Sequence, residues 1–339
     1  MNFHRCFMSN YPALYMTKMR HIVISLLFFA LATSLAWSKS TDAAYKGAII
    51  IDAVSGQVLF EDNPDIVSPP ASITKLMTFL IVHDRIASDA ITLQTQVPVN
   101  AASSKIGGTQ VWLKHGESFP VEEMLYALMI QSANDCAHAL AVTVAGSPEA
   151  FVELMNARAK QLGMTNTTFR SPHGLPPSNR RTADGDLTSP RDLAVLSQYL
   201  IQNTDILHYS SIKEQPFREG APEGRIIMRN HNHLIDNVEG VDGLKTGYTR
   251  GAGFCLAATA RRDGRRIIAV IMGSETAKGR DLKMAELIQQ GFASLPPSNS
   301  PLSMAPLPAG IPSNTMGPKT QVEPAPESSP VIKFSIPGK

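Results

Sequence analysis

The chain has 339 residues, 43% hydrophobic and 18% charged, enough apolar material for one large domain or two modest ones and too little charge for wholesale disorder. Its 31 basic and 29 acidic side chains leave a net charge of +2, which argues against a nucleic-acid protein, whose basic face must neutralise phosphates. No GxGxxG or GxxxxGK[ST] loop occurs, so nothing points to a nucleotide site.

At the N-terminus, Lys18, Arg20 and His21 precede an apolar run over 22–36, followed by the small-residue pattern Ala36-Trp37-Ser38. This is the order of an export signal. The run is short for a bilayer-spanning helix of roughly 20 residues, so a retained anchor is the weaker reading. Residues 1–38 are expected to be a signal peptide, touching the membrane only through that segment if it stays uncleaved. Residues 1–18 exceed what a signal needs, which makes Met19 a candidate start. Of the cysteines, Cys6 precedes the signal, leaving Cys136 and Cys255 in the mature chain. Export permits a disulfide, and the sequence leaves open whether the two meet; buried free thiols are the favoured reading. Neither has the CxxC spacing of a redox or zinc site.

Residues 47–52 and 57–60 flank a Ser55-Gly56 turn and read as a β-hairpin. A loop ending in Pro69-Pro70 leads to 71–82, where Ile73, Leu76, Met77, Leu80 and Ile81 recur at helical spacing, with Pro70 and Ser72 as start signals. The stretch 121–144 is mostly helical, broken at 131–134. Further helices are expected over 148–163, stopped by Gly163, and over 188–202, opened by Ser189-Pro190. Irregular polar sequence then reaches two strands, 253–261 and 266–273, joined by an Asp263-Gly264 turn. Residues 279–292 form a helix with Leu282, Met284, Leu287, Ile288 and Phe292 on one apolar face. Strands at both ends of a helical block predict an α/β fold whose terminal strands share one antiparallel sheet. From Leu295 onward proline, serine and glycine dominate, and 295–339 reads as a disordered tail.

Three short motifs follow in order: Ser72-Ile-Thr-Lys75 (SxxK), Ser132-Ala-Asn134 (SxN) and Lys245-Thr246-Gly247 (KTG). A serine hydroxyl is a poor nucleophile until a neighbouring base takes its proton. Positions i and i+3 share a helix face, so Lys75 presents its amine beside Ser72. To act as a base that lysine must be neutral, and burial near a second cation such as Lys245 lowers its pKa. The helix start also favours negative charge developing on Ser72. Ser132 and Asn134 lie at a helix break, where Ser132 is suited to relay a proton to a leaving amine and Asn134 to bind a substrate amide. KTG is placed just before an edge strand, its glycine leaving room for an extended peptide to pair alongside. An SxxK alone is weak, since Ser210-Ser-Ile-Lys213 also fits. Only the pattern at Ser72 sits in an amphipathic helix and precedes the SxN.

The segment Pro69-Pro-Ala-Ser-Ile-Thr-Lys-Leu-Met-Thr78 resembles the nucleophile region of the low-molecular-mass penicillin-binding, serine-type D-alanyl-D-alanine carboxypeptidases, peptidase family S11. So do Ser132-Ala-Asn-Asp135 and Val241-Asp-Gly-Leu-Lys-Thr-Gly-Tyr-Thr249 with Ala252-Gly253-Phe254. Shorter matches are Met155-Asn156, Leu162-Gly-Met164, His173-Gly-Leu175 and Gly279-Arg280. The resemblance covers about 45–293 and implies a β-lactamase/D,D-peptidase-like fold with an antiparallel sheet, flanking helices and an all-helical subregion. It implies Ser72 as the acylated nucleophile, Lys75 as its base, and Ser132 as proton relay. Asn134, Lys245, Thr246, Gly247, Tyr248 and Arg280 would bind substrate, with Thr246 and Arg280 on its terminal carboxylate. The backbone N–H groups of Ser72 and Tyr248 would form the oxyanion hole. The implied partners are the peptidoglycan stem pentapeptide and, as inhibitors, β-lactam antibiotics; no cofactor, metal or nucleic acid is implied. Ala133 departs from the usual glycine. Neither a β-rich second domain nor an amphipathic anchoring helix is recognisable, so the expectation is a freely periplasmic enzyme laid out as signal 1–38, catalytic domain 45–293 and tail 295–339.

Other readings carry less. His231, His233 and Asp236 are too few for a zinc site, and His173 lacks the GxSxG elbow of a Ser-His-Asp hydrolase. Arg280 has the alternative of pairing with Asp281. Arg261, Arg262, Arg265 and Arg266 read as a solvated turn, and Trp112 as a packing residue. A serine β-lactamase uses the same three motifs, but the E-x-x-L-N of class A enzymes is missing, Glu153-Leu-Met-Asn156 being one residue short. A D,D-endopeptidase or a penicillin-sensing module without turnover are further alternatives; the intact motif set disfavours the latter.

Overall fold

The computed structural model describes residues 45–220 and 224–296; the expected signal peptide and the tail beyond Pro296 lie outside the described residues. The hairpin forms from β1 (Gly47–Asp52) and β2 (Val58–Asp62) around Gly56, whose φ is +73°. A 3-10 turn, Ala71–Thr74, runs into α1 (Lys75–Ala87). Then come β3 (Gln96–Pro98), β4 (Ser118–Pro120), α2 (Val121–Tyr126), a π-helical turn (Ala127–Gln131), α3 (Asn134–Ala145) and α4 (Pro148–Gln161). The second half holds α5 (Pro190–Asn203), α6 (Ile206–Ser210), β5 (Glu214–Phe217), β6 (Ile226–Arg229) and α7 (Leu234–Asn237). It closes with β7 (Val241–Thr249), β8 (Gly253–Arg262), β9 (Arg265–Ser274) and α8 (Ala277–Ser294).

Five antiparallel strands form the main sheet in the order β2-β1-β9-β8-β7. The N-terminal hairpin and the C-terminal meander join where β1 pairs with β9, Ile49 opposite Val270 and Ile51 opposite Ile268. Strand alternation sends successive residues to opposite faces, and both faces are apolar. Ile49, Ile51, Ala257, Ile268 and Val270 pack into the large core under α1, α3 and α5. Ala48, Ile50, Ala258, Ile267 and Ile271 meet Met284, Leu287 and Ile288 of α8 on the other side. Each of those three fully buried α8 side chains contributes roughly 1.5–3 kcal/mol. Helix starts are fixed locally: Ser147 accepts from Ala150 N at 3.1 Å ahead of Pro148, and Ser189 from Asp192 N at 3.2 Å ahead of Pro190. Each such cap is worth about 1 kcal/mol.

Several local expectations are corrected. The KTG triplet does not precede a strand but lies inside β7, the edge of the sheet, and β8 is interior. The nucleophile helix begins as a 3-10 turn without a side-chain cap, and Ala71 has a φ of +51°. Leu282 is 58% exposed, outside the apolar face of α8, and Trp112 is 66% exposed rather than packed. The arginine cluster is not merely solvated. Arg266 makes two bonds to the Asp242 carboxylate at 2.6 and 2.7 Å, Arg265 reaches Asp52 at 3.3 Å, and Arg262 lies over the Phe292 ring. These arginines tie β7, β1 and α8 together. Cys136 and Cys255 are buried free thiols.

Along β7, the Asp242 carbonyl accepts from Ser210 Oγ at 3.3 Å and the Gly243 carbonyl from Asn232 Nδ2 at 2.9 Å. The second SxxK-like segment is thereby spent on structure: Ser210 is buried against β7, and Lys213 pairs with Asp236 at 2.6 Å.

Candidate active site

The turn that carries Ser72 is held from two sides by glycines. A Cβ on Gly247 of β7 would fall 2.4 Å from the Pro70 carbonyl oxygen and 3.2 Å from Ser72 N. On the other side a Cβ on Gly174 would fall 1.9 Å from the Ala71 carbonyl oxygen. Only residues without a Cβ permit both approaches. Within this clamp Ala71, Ile73 and Thr74 are buried while Ser72 stays half-exposed, so its hydroxyl is the reactive group offered to solvent.

One helical turn on, Lys75 is fully buried and its Nζ sits 3.1 Å from Ser72 Oγ, 2.6 Å from Asn134 Oδ1 and 2.7 Å from the His173 carbonyl oxygen. Burial pushes the Lys75 pKa well down, and the charge of Lys245 adds to the effect. Lys245 is itself buried, and burial followed by the charge of Arg280 brings it down to about 7. The two lysines thus act on each other within one site, and the amine nearest the serine hydroxyl is driven towards its neutral, basic form.

Asn134 opens α3, the position where its side chain is free to turn back into the cleft. Its Oδ1 accepts from Lys75, its Nδ2 donates to the Gly107 carbonyl at 2.8 Å, and its backbone N–H donates to Thr109 at 2.8 Å. One Nδ2 hydrogen is left for a ligand. Ser132 ends the π-helical turn in the left-handed region, φ +64°, and is buried. Among the described residues no hydrogen bond joins its hydroxyl to Lys75 or Lys245. Thr246 follows in the opposite phase of β7 from Lys245 and Gly247, and so does Tyr248, which is 56% exposed and stacked on Phe254 at 4.1 Å between ring centroids. Arg280, buried near the start of α8, is bound by Asp281 through Nε at 2.9 Å and Nη2 at 2.7 Å. Arg280 thus makes the Asp281 pair that was its alternative reading, and its charge reaches Lys245.

Sequence reasoning missed two supports. The His173 carbonyl is the third acceptor of Lys75, whereas the imidazole is pushed by burial down to about 3 and stays neutral. Asp186, almost wholly buried, accepts from Thr74 Oγ1 at 2.8 Å, Ser171 Oγ at 3.0 Å, Arg170 N at 2.6 Å and Ser171 N at 2.9 Å. It locks the loop before Gly174 onto the nucleophile turn. Asp186 carries no motif, and His173 stood out only through the family-like His173-Gly-Leu175, which says nothing of its carbonyl. Asp135 does similar work on the far side, accepting from Leu113 N at 3.0 Å and Val111 N at 3.3 Å. His231 and His233 do not converge with Asp236, which is taken by Lys213; His233 instead approaches Asp281 at 3.9 Å.

Residues 34–276 match the profile of peptidase S11, described as D-alanyl-D-alanine carboxypeptidase. The chain is 35% identical over 248 residues to the Bacillus subtilis D-alanyl-D-alanine carboxypeptidase DacF, covering 73% of this chain and 62% of that one. It is 37% identical over 251 residues to Escherichia coli DacA, a D-alanyl-D-alanine carboxypeptidase, covering 72% and 60%. The chain therefore spans less than two thirds of the length of these relatives. Among solved structures it superposes on penicillin-binding protein D2 of Listeria monocytogenes in its ampicillin-bound form with a TM-score of 0.66 and 28% identity, covering 75% of this chain and all of that one. With its three motifs in one cleft and its profile matched over most of its length, the chain belongs to the D-alanyl-D-alanine carboxypeptidase family, peptidase S11.

Proposed function

We propose that the chain is a serine-type D-Ala-D-Ala carboxypeptidase that removes the terminal D-alanine from peptidoglycan stem pentapeptides and is acylated by penicillin. The observation that carries this reading is the half-exposed Ser72 hydroxyl 3.1 Å from a buried Lys75 amine whose pKa is held well down. Ser72 Oγ attacks the carbonyl of the penultimate D-alanine while its proton passes to neutral Lys75. The oxyanion formed is met by the N–H groups of Ser72 and Tyr248, fixed in position by the clamp of Gly247 on the nucleophile turn. Ser132 relays the proton that Lys75 took from Ser72 to the leaving amine, so the C–N bond breaks, D-alanine departs and Lys75 is neutral again. Catalytic hydrogen bonds are often long or misaligned before substrate binds, so the free Ser132 hydroxyl of the resting site is compatible with this role. Water, deprotonated by Lys75, then cleaves the ester and restores Ser72. Lys245, Thr246 and Arg280 hold the terminal carboxylate, and the remaining Asn134 Nδ2 hydrogen serves the substrate amide.

The substrate lies outside the cytoplasmic membrane. Export is supported by the apolar run 22–36 behind Lys18 and Arg20. Among the described residues no helix is long and apolar enough to cross a membrane. The test is mass spectrometry of the benzylpenicillin adduct combined with measurement of D-alanine released from a pentapeptide. A long-lived adduct on Ser72 with D-alanine release is expected, and Ser72→Ala loses both. Rapid turnover of penicillin would instead make the chain a β-lactamase, and labelling retained in Ser72→Ala would move the nucleophile elsewhere.

A further inference from the structure

Between Asp135 and Thr143 every side chain of α3 is apolar except that of His138. His138 is buried, and its Nδ1 lies 2.8 Å from the hydroxyl of Ser103, which is buried completely. Burial holds the imidazole pKa below its ordinary value, so the ring is neutral and bonds the hydroxyl as donor or acceptor according to its tautomer. Two polar groups among apolar neighbours cost free energy unless they satisfy each other. The acyl transfer derived above makes no use of this pair.

What the pair holds is the loop that lies against Asn134. Ser103 opens a 3-10 turn, Ser103–Lys105, and its carbonyl accepts from Ile106 N at 3.3 Å. The chain then delivers two carbonyls to the start of α3: Gly107 O accepts from Asn134 Nδ2 and Thr109 O from Asn134 N, both at 2.8 Å. The Gly107 bond decides which way the Asn134 amide faces. With one Nδ2 hydrogen held there, Oδ1 turns to Lys75 Nζ at 2.6 Å and the second hydrogen is left to the cleft. Gly107 and Gly108 have no side chains with which to anchor themselves, and a Cβ on Gly108 would fall 2.5 Å from Asn134 Nδ2. The Gly107 carbonyl is therefore placed by the pins on either side of it. Downstream, Asp135 accepts from Val111 N and Leu113 N; upstream, Ser103 is tied to His138. Positions i and i+4 share one helix face, so Asn134 and His138 grip the same loop from neighbouring turns of α3. From this we propose that His138 is a positioning residue for acyl transfer: through Ser103 it fixes the Gly107 carbonyl and thereby the orientation of the Asn134 amide. This inference rests on the carboxypeptidase reading, in which Asn134 serves Lys75 and the substrate amide.

The test measures the acylation rate constant for benzylpenicillin in the full chain, together with urea unfolding. A displacement near 1 Å lowers rate about a hundredfold; with the Asp135 pins intact the shift is smaller, and His138→Leu and Ser103→Ala are each expected to acylate about tenfold more slowly. His138→Asn, which keeps a donor and an acceptor near the hydroxyl, is expected to recover to within about threefold of the unaltered chain. The double variant Ser103→Ala/His138→Leu separates positioning from stability, because two apolar partners restore burial without a directional bond. It is expected to unfold at the urea concentration of the unaltered chain while still acylating about tenfold more slowly. Recovery of the rate along with the stability overturns the inference and leaves the pair a packing feature. In an Asn134→Ala background, His138→Leu is expected to change the rate by less than about twofold, since the group it positions is gone; a full tenfold loss there overturns the route through Asn134. An unaltered chain that forms no penicillin adduct would overturn the carboxypeptidase reading, whereas equal rates in the unaltered chain and His138→Leu overturn the role of His138 alone.

Discussion

Replacing Gly247 by alanine tests how tightly the fold positions the nucleophile. The added Cβ would lie 2.4 Å from the Pro70 carbonyl oxygen, which as a backbone atom cannot rotate away. A carbon and a carbonyl oxygen ordinarily approach no closer than about 3.3 Å, so β7 and the Ser72 turn must separate by about 0.9 Å. Ser72 N, 3.2 Å from the same Cβ, moves with the turn. A displacement near 1 Å between catalytic groups lowers rate by about a hundredfold, whereas overpacking of this kind costs only about 1–3 kcal/mol of stability. The acylation rate constant for benzylpenicillin is therefore expected to fall about a hundredfold in a variant that still melts cooperatively. Stopped-flow measurement with a fluorescent penicillin, paired with thermal unfolding, reads both quantities. A folded variant acylating within threefold of the unaltered chain would refute the clamp.

Two other substitutions probe the buried charges. Lys245, brought down to about 7 from 10.5 by burial and by Arg280, binds fewer protons folded than unfolded between those values, so stability rises as pH climbs from about 7 to about 10 and the full penalty applies below 7. Lys245→Met is expected to stabilise the chain at pH 6, with a ceiling of about 5 kcal/mol, and to flatten that rise, leaving the part due to Lys75. Urea unfolding at pH 6, 7.5 and 9 checks this, and a less stable variant at pH 6 would contradict it. Asp186→Ala strands four donors that include Thr74 Oγ1 and two backbone N–H groups, and a loss of about 3 kcal/mol is expected. A change under about 0.5 kcal/mol in urea unfolding would mean the loop is held by other contacts.

What the sequence made legible divides by the kind of signal each feature leaves. Helical spacing at Ile73, Leu76, Met77, Leu80 and Ile81 was enough to set Lys75 one turn from Ser72, although Ser72 lies in the 3-10 turn ahead of α1 and residues 75–82 are buried on every side. Ser189-Pro190 marked a true start since capping is decided within four residues. β7 escaped notice because it has no apolar alternation: two glycines and a buried lysine occupy positions where a core strand ordinarily carries Val or Ile. Its strand character comes from β8, a partner remote from any local window. The acceptors at His173 and Asp186 were equally invisible, one being a backbone carbonyl and the other a carboxylate whose four partners lie up to 112 residues away. Trp112 and Leu282 misled for the opposite reason, since an apolar side chain says nothing by itself about which way its backbone turns it.

The position of β7 at the sheet edge has a consequence for how the protein behaves in a crowded compartment. An unpaired edge strand is a template on which another chain can add, the usual route to aggregation. Here the first half of that edge is closed by Ser210 on Asp242 and Asn232 on Gly243. Only the segment from Lys245 to Thr249 remains for pairing, too short for a stable foreign strand but matched to a brief peptide. The polar side chains that bond the start of β7 therefore limit self-association, and an occupied cleft leaves the edge with almost nothing to offer a second molecule.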